Sequence, residues 1–359
     1  MERRDVVALL GLAALLPGCA ATGGGPSGLR EAGAFRTASF YDTSSGERLD
    51  RRRLFARMAP APIVLLGEVH DNSLHHRIRG SLLLDWVRSQ PSRVAALVFE
   101  QLDREHDGRL RLLQRSAGGP APAGAAPSRA RDRPSLDELL EAGGFDRQAW
   151  AWPAHQPLFE AARQSGATWI AANFSRASAR QLGRLQDGEV EPALQAVVES
   201  ARWSEEAQRA LERALLDGHC GRLPASALPG ITRIQRLRDA ALALPLLDAA
   251  ERRSLLLAGN GHVRRDYGVP RYFGALEREA VVVGFEESSR QPAGDLAAAV
   301  GAARAGDFGG AYHFVCLTRA EEREDPCAGL PPAQSSRADA NSFALKASRS
   351  SAPSPTPMK

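Results

Sequence analysis

The sequence predicts an α/β fold, with a mostly parallel sheet flanked by helices and a helical insertion (cap) between the third and fourth strands. Three observations predict it. Six short apolar runs recur along the chain with helical stretches between them. The runs are continuous rather than alternating, as strands covered on both faces are. The first four end on polar residues, which is how an open parallel sheet presents a ligand edge.

The strand runs are Ile63 to Gly67, Val94 to Phe99, Thr168 to Ala172, Ser254 to Ala258, Val281 to Gly284 and Tyr312 to Thr318. Leu74 to Gln90 reads as a helix after the first run, with Asp71 or Ser73 as its cap, and Pro157 to Gln164 as a helix before the third. The insertion covers Ser175 to Glu251. Ser175 caps its first helix, Ser204-Glu205-Glu206-Ala207 opens an amphipathic run to Leu216, and Ile231 to Leu247 forms another.

The N-terminus reads as a targeting signal. Arg3 and Arg4 precede the apolar run Val6 to Leu16, and a small-residue cleavage site follows, so residues 1–18 are expected to be a signal peptide. Leu16-Pro17-Gly18-Cys19 resembles a bacterial lipobox, which implies Cys19 as the lipidated first residue of the mature chain and the lipid bilayer as a partner. Ala20 and Ala21 after it imply sorting to the outer membrane. The expected organisation is a lipidated N-terminus, tether and lead-in at 19–60, an α/β domain at 61–330 with a flexible insertion at 115–134, and a disordered tail at 331–359. No apolar run reaches the roughly 18 residues of a spanning helix.

Charge excludes one class of partner. The chain carries 46 Lys+Arg against 42 Asp+Glu, a net charge of +4. The excess sits in 115–134 (Arg115, Arg129, Arg131 and Arg133 against Asp132) and in 331–359 (Arg337, Lys346, Arg349 and Lys359 against Asp339). The body that remains is slightly acidic, without the basic stripe that nucleic acid requires. With Cys19 committed to lipid, an exported chain leaves Cys220, Cys316 and Cys327, so one bridge and one thiol are expected. Cys220 and Cys327 sit in loop-like contexts and Cys316 in a strand run, which favours a Cys220–Cys327 disulfide. No Cys-x-x-Cys-His occurs, which excludes covalent c-type haem attachment.

Glu68, His70, Glu100, Asn173, Arg176, Asn260 and His262 follow the ends of four strands and are expected to converge on one rim. Gly67-x-x-His70 and Gly259-x-x-His262 let the backbone turn tightly while each imidazole points back over the sheet edge. Two facing histidines with Glu68 or Glu100 make a two-His, one-carboxylate metal site, and without metal they make a general acid and base. Walker A, Gly-x-Ser-x-Gly and His-Glu-x-x-His motifs do not occur around this rim. His75 and His76 read as packing or solvated residues, and His106, His155 and His313 show no partner pattern.

Leu66-Gly67-Glu68-Val69-His70-Asp71-Asn72, Val98-Phe99-Glu100-Gln101, Ala171-Ala172-Asn173-Phe174-Ser175-Arg176, Gly218-His219-Cys220, Gln235-Arg236-Leu237-Arg238-Asp239 and Gly259-Asn260-Gly261-His262-Val263 to Tyr267-Gly268-Val269-Pro270 together resemble the ChaN family of the Tiki superfamily. The resemblance runs from about Ala61 to Cys327. It implies an α/β surface lipoprotein of the outer membrane that binds haem and is linked to iron or haem uptake. It also implies iron ligation by a tyrosine and a histidine shared across a haem-bridged homodimer. Among Tyr41, Tyr267 and Tyr272, Tyr267 is the expected ligand because it follows His262. The other haem-binding residues carried over are His70, His262, Asn173, Arg176 and Arg238, with His219 and Gln235 in the surroundings. The wider superfamily implies an alternative, a metal-dependent hydrolase in which His70, His262, Glu68 and Glu100 are both the catalytic set and the ligands of a Zn, Mn or Fe ion. Whether the protein is an enzyme stays open at this point.

Overall fold

The computed structural model describes Phe35 and residues 37–90, 95–116, 133–183, 190–248, 253–288, 308–325 and 327–328. The expected signal peptide, Cys19, most of the expected insertion at 115–134 and the expected tail at 331–359 lie outside the described residues. Arg115 and Ser116 close a helix rather than open a loop.

Eight strands form one sheet in the order β2-β1-β8-β7-β3-β6-β4-β5. The six apolar runs become β3 (Ile63–Leu66), β4 (Ala95–Asp103), β5 (Thr168–Asn173), β6 (Arg253–Leu257), β7 (Ala280–Ser288) and β8 (Phe314–Arg319), all parallel to their neighbours among these six. β3 lies between β7 and β6, so Leu66 pairs with Val283 on one side and Leu257 on the other. This is why β3 and β6 are buried at every position and β4 at all but its last: helices cover both faces. A short antiparallel ribbon, β1 (Ser39–Asp42) with β2 (Arg48–Leu49), adds to the β8 edge through Phe40 opposite Cys316.

One face is covered by α1 (Arg51–Met58), α2 (Ser73–Arg88), α3 (Asp107–Ser116), α4 (Leu136–Ala142) and α5 (Gln156–Ser165), over a core that includes Leu82, Trp86, Phe99, Phe159 and Trp169. The insertion between β5 and β6 supplies α6 (Arg176–Leu182), α7 (Pro192–Ser200), α8 (Glu205–Gly218) and α9 (Leu228–Asp248). Of these, α7 and α9 bury Leu194, Leu237 and Leu242 on the opposite face, with α10 (Asn260–Val263) contributing Val263. Leucines buried in full like these contribute about 1.5–3 kcal/mol each. No helix among the described residues is long and apolar enough to cross a membrane.

The caps show where local sequence decides and where it does not. Ser175 accepts from Ser178 N and Ser204 from Ala207 N, as their positions predict. The α2 cap is neither Asp71 nor Ser73 but Asn72, whose side chain accepts from both Leu74 N and His75 N. Asp71 instead pairs with Arg323, and Ser73 donates to Glu321 at 2.9 Å. Both partners lie in the segment after β8, which sequence spacing does not reveal. That segment continues to Cys327, which is bonded to Cys220 with Cα atoms 5.7 Å apart, while Cys316 is a buried thiol in β8.

Candidate functional site

The two Gly-x-x-His turns lean on one another. Asn260 N donates to Glu68 O at 2.9 Å, tying the loop after β6 to the loop after β3. Each glycine is needed for this approach. A Cβ at Gly259 would stand 2.6 Å from His70 Cε1, and one at Gly67 would overlap the Asn260 side chain.

Glu68 is the hub beneath His70. Its side chain is fully buried, and its Oε1 accepts from His70 Nδ1 at 2.8 Å, from Gln101 Nε2 at 3.0 Å and from His155 Nε2 at 3.2 Å. Its Oε2 pairs with the buried guanidinium of Arg79 and lies 3.4 Å from His76 Nδ1. Burial lowers the Arg79 pKa to about 9, which leaves it charged at neutral pH. Burial drives His76 down to about 4 and His155 to about 2, so both imidazoles are neutral. The His70 ring is half exposed, standing edge-on to Trp150 with centroids 5.0 Å apart. With Nδ1–H given to a carboxylate, its Nε2 carries the lone pair, toward Gly259 and the cleft.

A second buried group sits beside it. Glu100, from β4, accepts from Gly259 N at 2.6 Å and faces His262 Nε2 at 3.2 Å, while His262 Nδ1 lies 2.6 Å from Asp239 on α9. Burial alone would lower the His262 pKa, but Glu100 and Asp239 outweigh it and raise it to about 10. Burial pushes Glu100 up, yet the charge of His262 and the Gly259 N–H hold it well below the usual carboxylate range. Asp239, dominated by burial, rises to about 6. His262 is therefore an imidazolium held between two carboxylates.

His70, Glu100, Asn173, Arg176 and Arg238 line one cleft of about 370 Å³, walled by Trp150 and Phe174. Arg238 Nη1 donates to Asn173 Oδ1 at 2.9 Å, which links the insertion to the end of β5. Asp103 also lines it and is pushed up to about 6 by burial and by Glu105. Of the predicted rim, His70, Glu100, Asn173 and Arg176 line this cleft, while Glu68, Asn260 and His262 do not. Tyr267 is not in this cleft: it is 7 % exposed, lies under the Arg264 guanidinium and borders a separate cavity. Burial raises its pKa to about 12, which disfavours the phenolate. The two His262 nitrogens face the carboxylates of Glu100 and Asp239. Glu68 has Arg79 on one oxygen and three nitrogen donors on the other. His70 and His262 thus stand on different carboxylates, Glu68 and Glu100. Among the described residues the grouping with metal-like spacing is Glu68, His76 and His155, within 4.8 Å and wholly buried against Arg79.

Sequence reading missed Arg79, Trp150, His155 and Asp239. Only Asp239 left a signal, since Gln235 and Asp239 are spaced i, i+4 on one helix and both reach His262 Nδ1, at 3.1 and 2.6 Å.

A mostly parallel sheet with a histidine-bearing cleft at its carboxyl edge defines an α/β ligand-binding protein. The model of the family described as haem-binding uptake, Tiki superfamily, ChaN matches residues 54–273, and the chain belongs to that family. Among solved structures it is similar to ChaN of Campylobacter jejuni, whose title describes cofacial haem binding: 17% identity over 79% of this chain and 97% of that one, with a TM-score of 0.58. Weaker likenesses include the erythromycin esterase EreC (13% identity, 80% of this chain and 98% of that one, TM-score 0.38) and the type III effector HopBA1 (11%, 75% and 93%, 0.38). No curated protein matches.

Proposed function

We propose that this protein binds haem in the His70 cleft, with iron ligated by His70 Nε2. The observation that carries it is the half-exposed imidazole whose other nitrogen is fixed by buried Glu68, the arrangement that readies a histidine for a metal. The surroundings fit a porphyrin. Trp150 and Phe174 offer apolar faces, and Arg176 and Arg238 offer cations for carboxylate side chains. When bound, haem supplies an iron centre that takes up or exchanges an axial ligand. The chain's tyrosines do not compete for it: Tyr41, Tyr267, Tyr272 and Tyr312 are all buried.

A cleft of about 370 Å³ is at the small end for a ligand of this size, so one porphyrin face stays uncovered. A second copy facing it in a haem-bridged homodimer is the economical cover. The lipobox-like Leu16-Pro17-Gly18-Cys19 supports an outer-membrane lipoprotein, and with haem binding it supports a role in haem or iron uptake.

Titration of the protein with ferric haem tests this. A defined Soret band is expected, with affinity lowered more than about 100-fold in His70→Ala and unchanged in Tyr267→Phe. Loss in Tyr267→Phe with retention in His70→Ala would reverse the assignment. Gly259→Ala is expected to weaken binding about tenfold, because the backbone there suits any residue (φ −62°) and only the contact with the His70 ring is affected. Elemental analysis of the haem-free protein covers the hydrolase alternative, for which stoichiometric zinc, manganese or iron would speak.

A further inference from the structure

The layer beneath His70 contains more charge than holding an imidazole in place needs. A glutamine at position 68 would accept the same hydrogen bond from Nδ1. The chain instead places a carboxylate there, out of water, and buries the Arg79 guanidinium against it. Burying a guanidinium is costly unless it is paired and hydrogen-bonded, and Arg79 has both, through Glu68 and through Leu66 O at 3.0 Å. Gln101 and His155 fix Glu68 Oε1 from the other sides, so the carboxylate cannot rotate away from His70. What an anionic acceptor adds over a neutral one is electron density on the imidazole, which makes Nε2 a stronger donor to a more highly charged metal.

Resting on the proposed haem site, we infer that the Arg79–Glu68–His70 chain selects the oxidation state of the ligand, so that the cleft takes ferric haem in preference to ferrous haem or metal-free porphyrin. Glu68 and Arg79 are positioning residues in this account, since neither reaches the cleft. Arg79 serves by keeping Glu68 anionic in a dry environment, and Glu68 by polarising His70. Ferric iron carries one more positive charge than ferrous iron, so it gains more from that polarisation. Metal-free porphyrin gains nothing from it.

The test is the reduction potential of the bound haem, with affinities for ferric haem, dithionite-reduced haem and protoporphyrin IX, in wild type, Glu68→Gln and the charge-neutral Glu68→Gln/Arg79→Met pair. Wild type is expected to bind ferric haem at least tenfold more tightly than either of the other two. In Glu68→Gln the ferric preference over ferrous should fall by about tenfold, which for a one-electron couple is a rise of about 59 mV in potential. The double variant, which leaves no unpaired buried charge, should show the same rise and so separates polarisation from misfolding. A potential and a ferric-to-ferrous ratio unchanged in both variants, with haem still bound through His70, would overturn this inference and leave the haem site standing. Absence of haem binding by wild type would remove both.

Discussion

Replacing Glu100 with alanine is expected to lower the stability of the fold by about 3–5 kcal/mol, the range for removing one partner of a buried ion pair. Glu100 is 4 % exposed and holds two largely buried groups: the His262 imidazolium and the Gly259 N–H. Alanine strands both. The same cluster fixes a pH dependence. His262 has a folded pKa of about 10 against an ordinary 6.5, so its contribution is complete below pH 6.5 and is lost as pH rises through 10. Glu100 works in the opposite sense. Its folded value lies below its ordinary 4.5, so its contribution is present above that pH and is lost only well into acid. Asp239, raised from 3.8 to about 6, opposes folding as it ionises and so adds to the decline between those values. Unfolding free energies from urea titrations between pH 5 and 10 should therefore fall steadily on the alkaline side, by a few kcal/mol in all. In Glu100→Gln/Asp239→Asn, where His262 has only neutral partners, that decline should flatten. An equal slope in the double variant would mean that His262 is not the titrating group.

The six central strands were legible because each is an apolar run buried on both faces, a pattern that needs no knowledge of its neighbours. The β1–β2 ribbon was not. Ser-Phe-Tyr-Asp and the two residues Arg48–Leu49 are too short to show a period, and they become strands only because β8 offers an unpaired edge. The rim residues were legible for a related reason, since a polar residue directly after a buried strand must emerge at the sheet edge. Their partners were not, because partners are set by tertiary approach. Arg79 lies on a helix of sixteen residues that reads as solvent-facing on one side, yet ten of them are buried and its guanidinium runs under the rim to Glu68. His155 arrives from the loop before α5. Asp239 arrives from the insertion, 23 residues ahead of His262. Tyr267 shows the converse failure. Proximity in sequence to His262 suggested a shared cleft, but the backbone turns after α10, Gly268 N closing on Arg264 O at 2.8 Å, and carries the tyrosine to the other side.

Removing the disulfide in Cys220→Ser/Cys327→Ser is expected to cost about 4–5 kcal/mol, the chain-entropy value for a closed loop near 100 residues. The bridge spans 107 positions, and little else in that span constrains the unfolded chain. It joins the end of α8 in the insertion to the segment after β8, and that segment is fastened to the sheet edge before it reaches Cys327. Arg323 donates to both oxygens of Glu287 at 2.7 Å and pairs with Asp71, one residue from His70. The covalent link therefore holds the insertion, which contributes Arg176 and Arg238 to the cleft, against the loop that carries His70. Two consequences separate this from a local effect. Dithiothreitol should shift the wild-type urea midpoint to that of the double serine variant, and haem affinity should weaken in both, because the two halves of the cleft are no longer tied. Cys316→Ala, a buried thiol outside the bridge, should cost only about 1 kcal/mol and leave the response to reductant intact. A wild-type midpoint indifferent to reductant would show that packing alone holds the insertion in place. A large shift would make folding depend on an oxidising compartment.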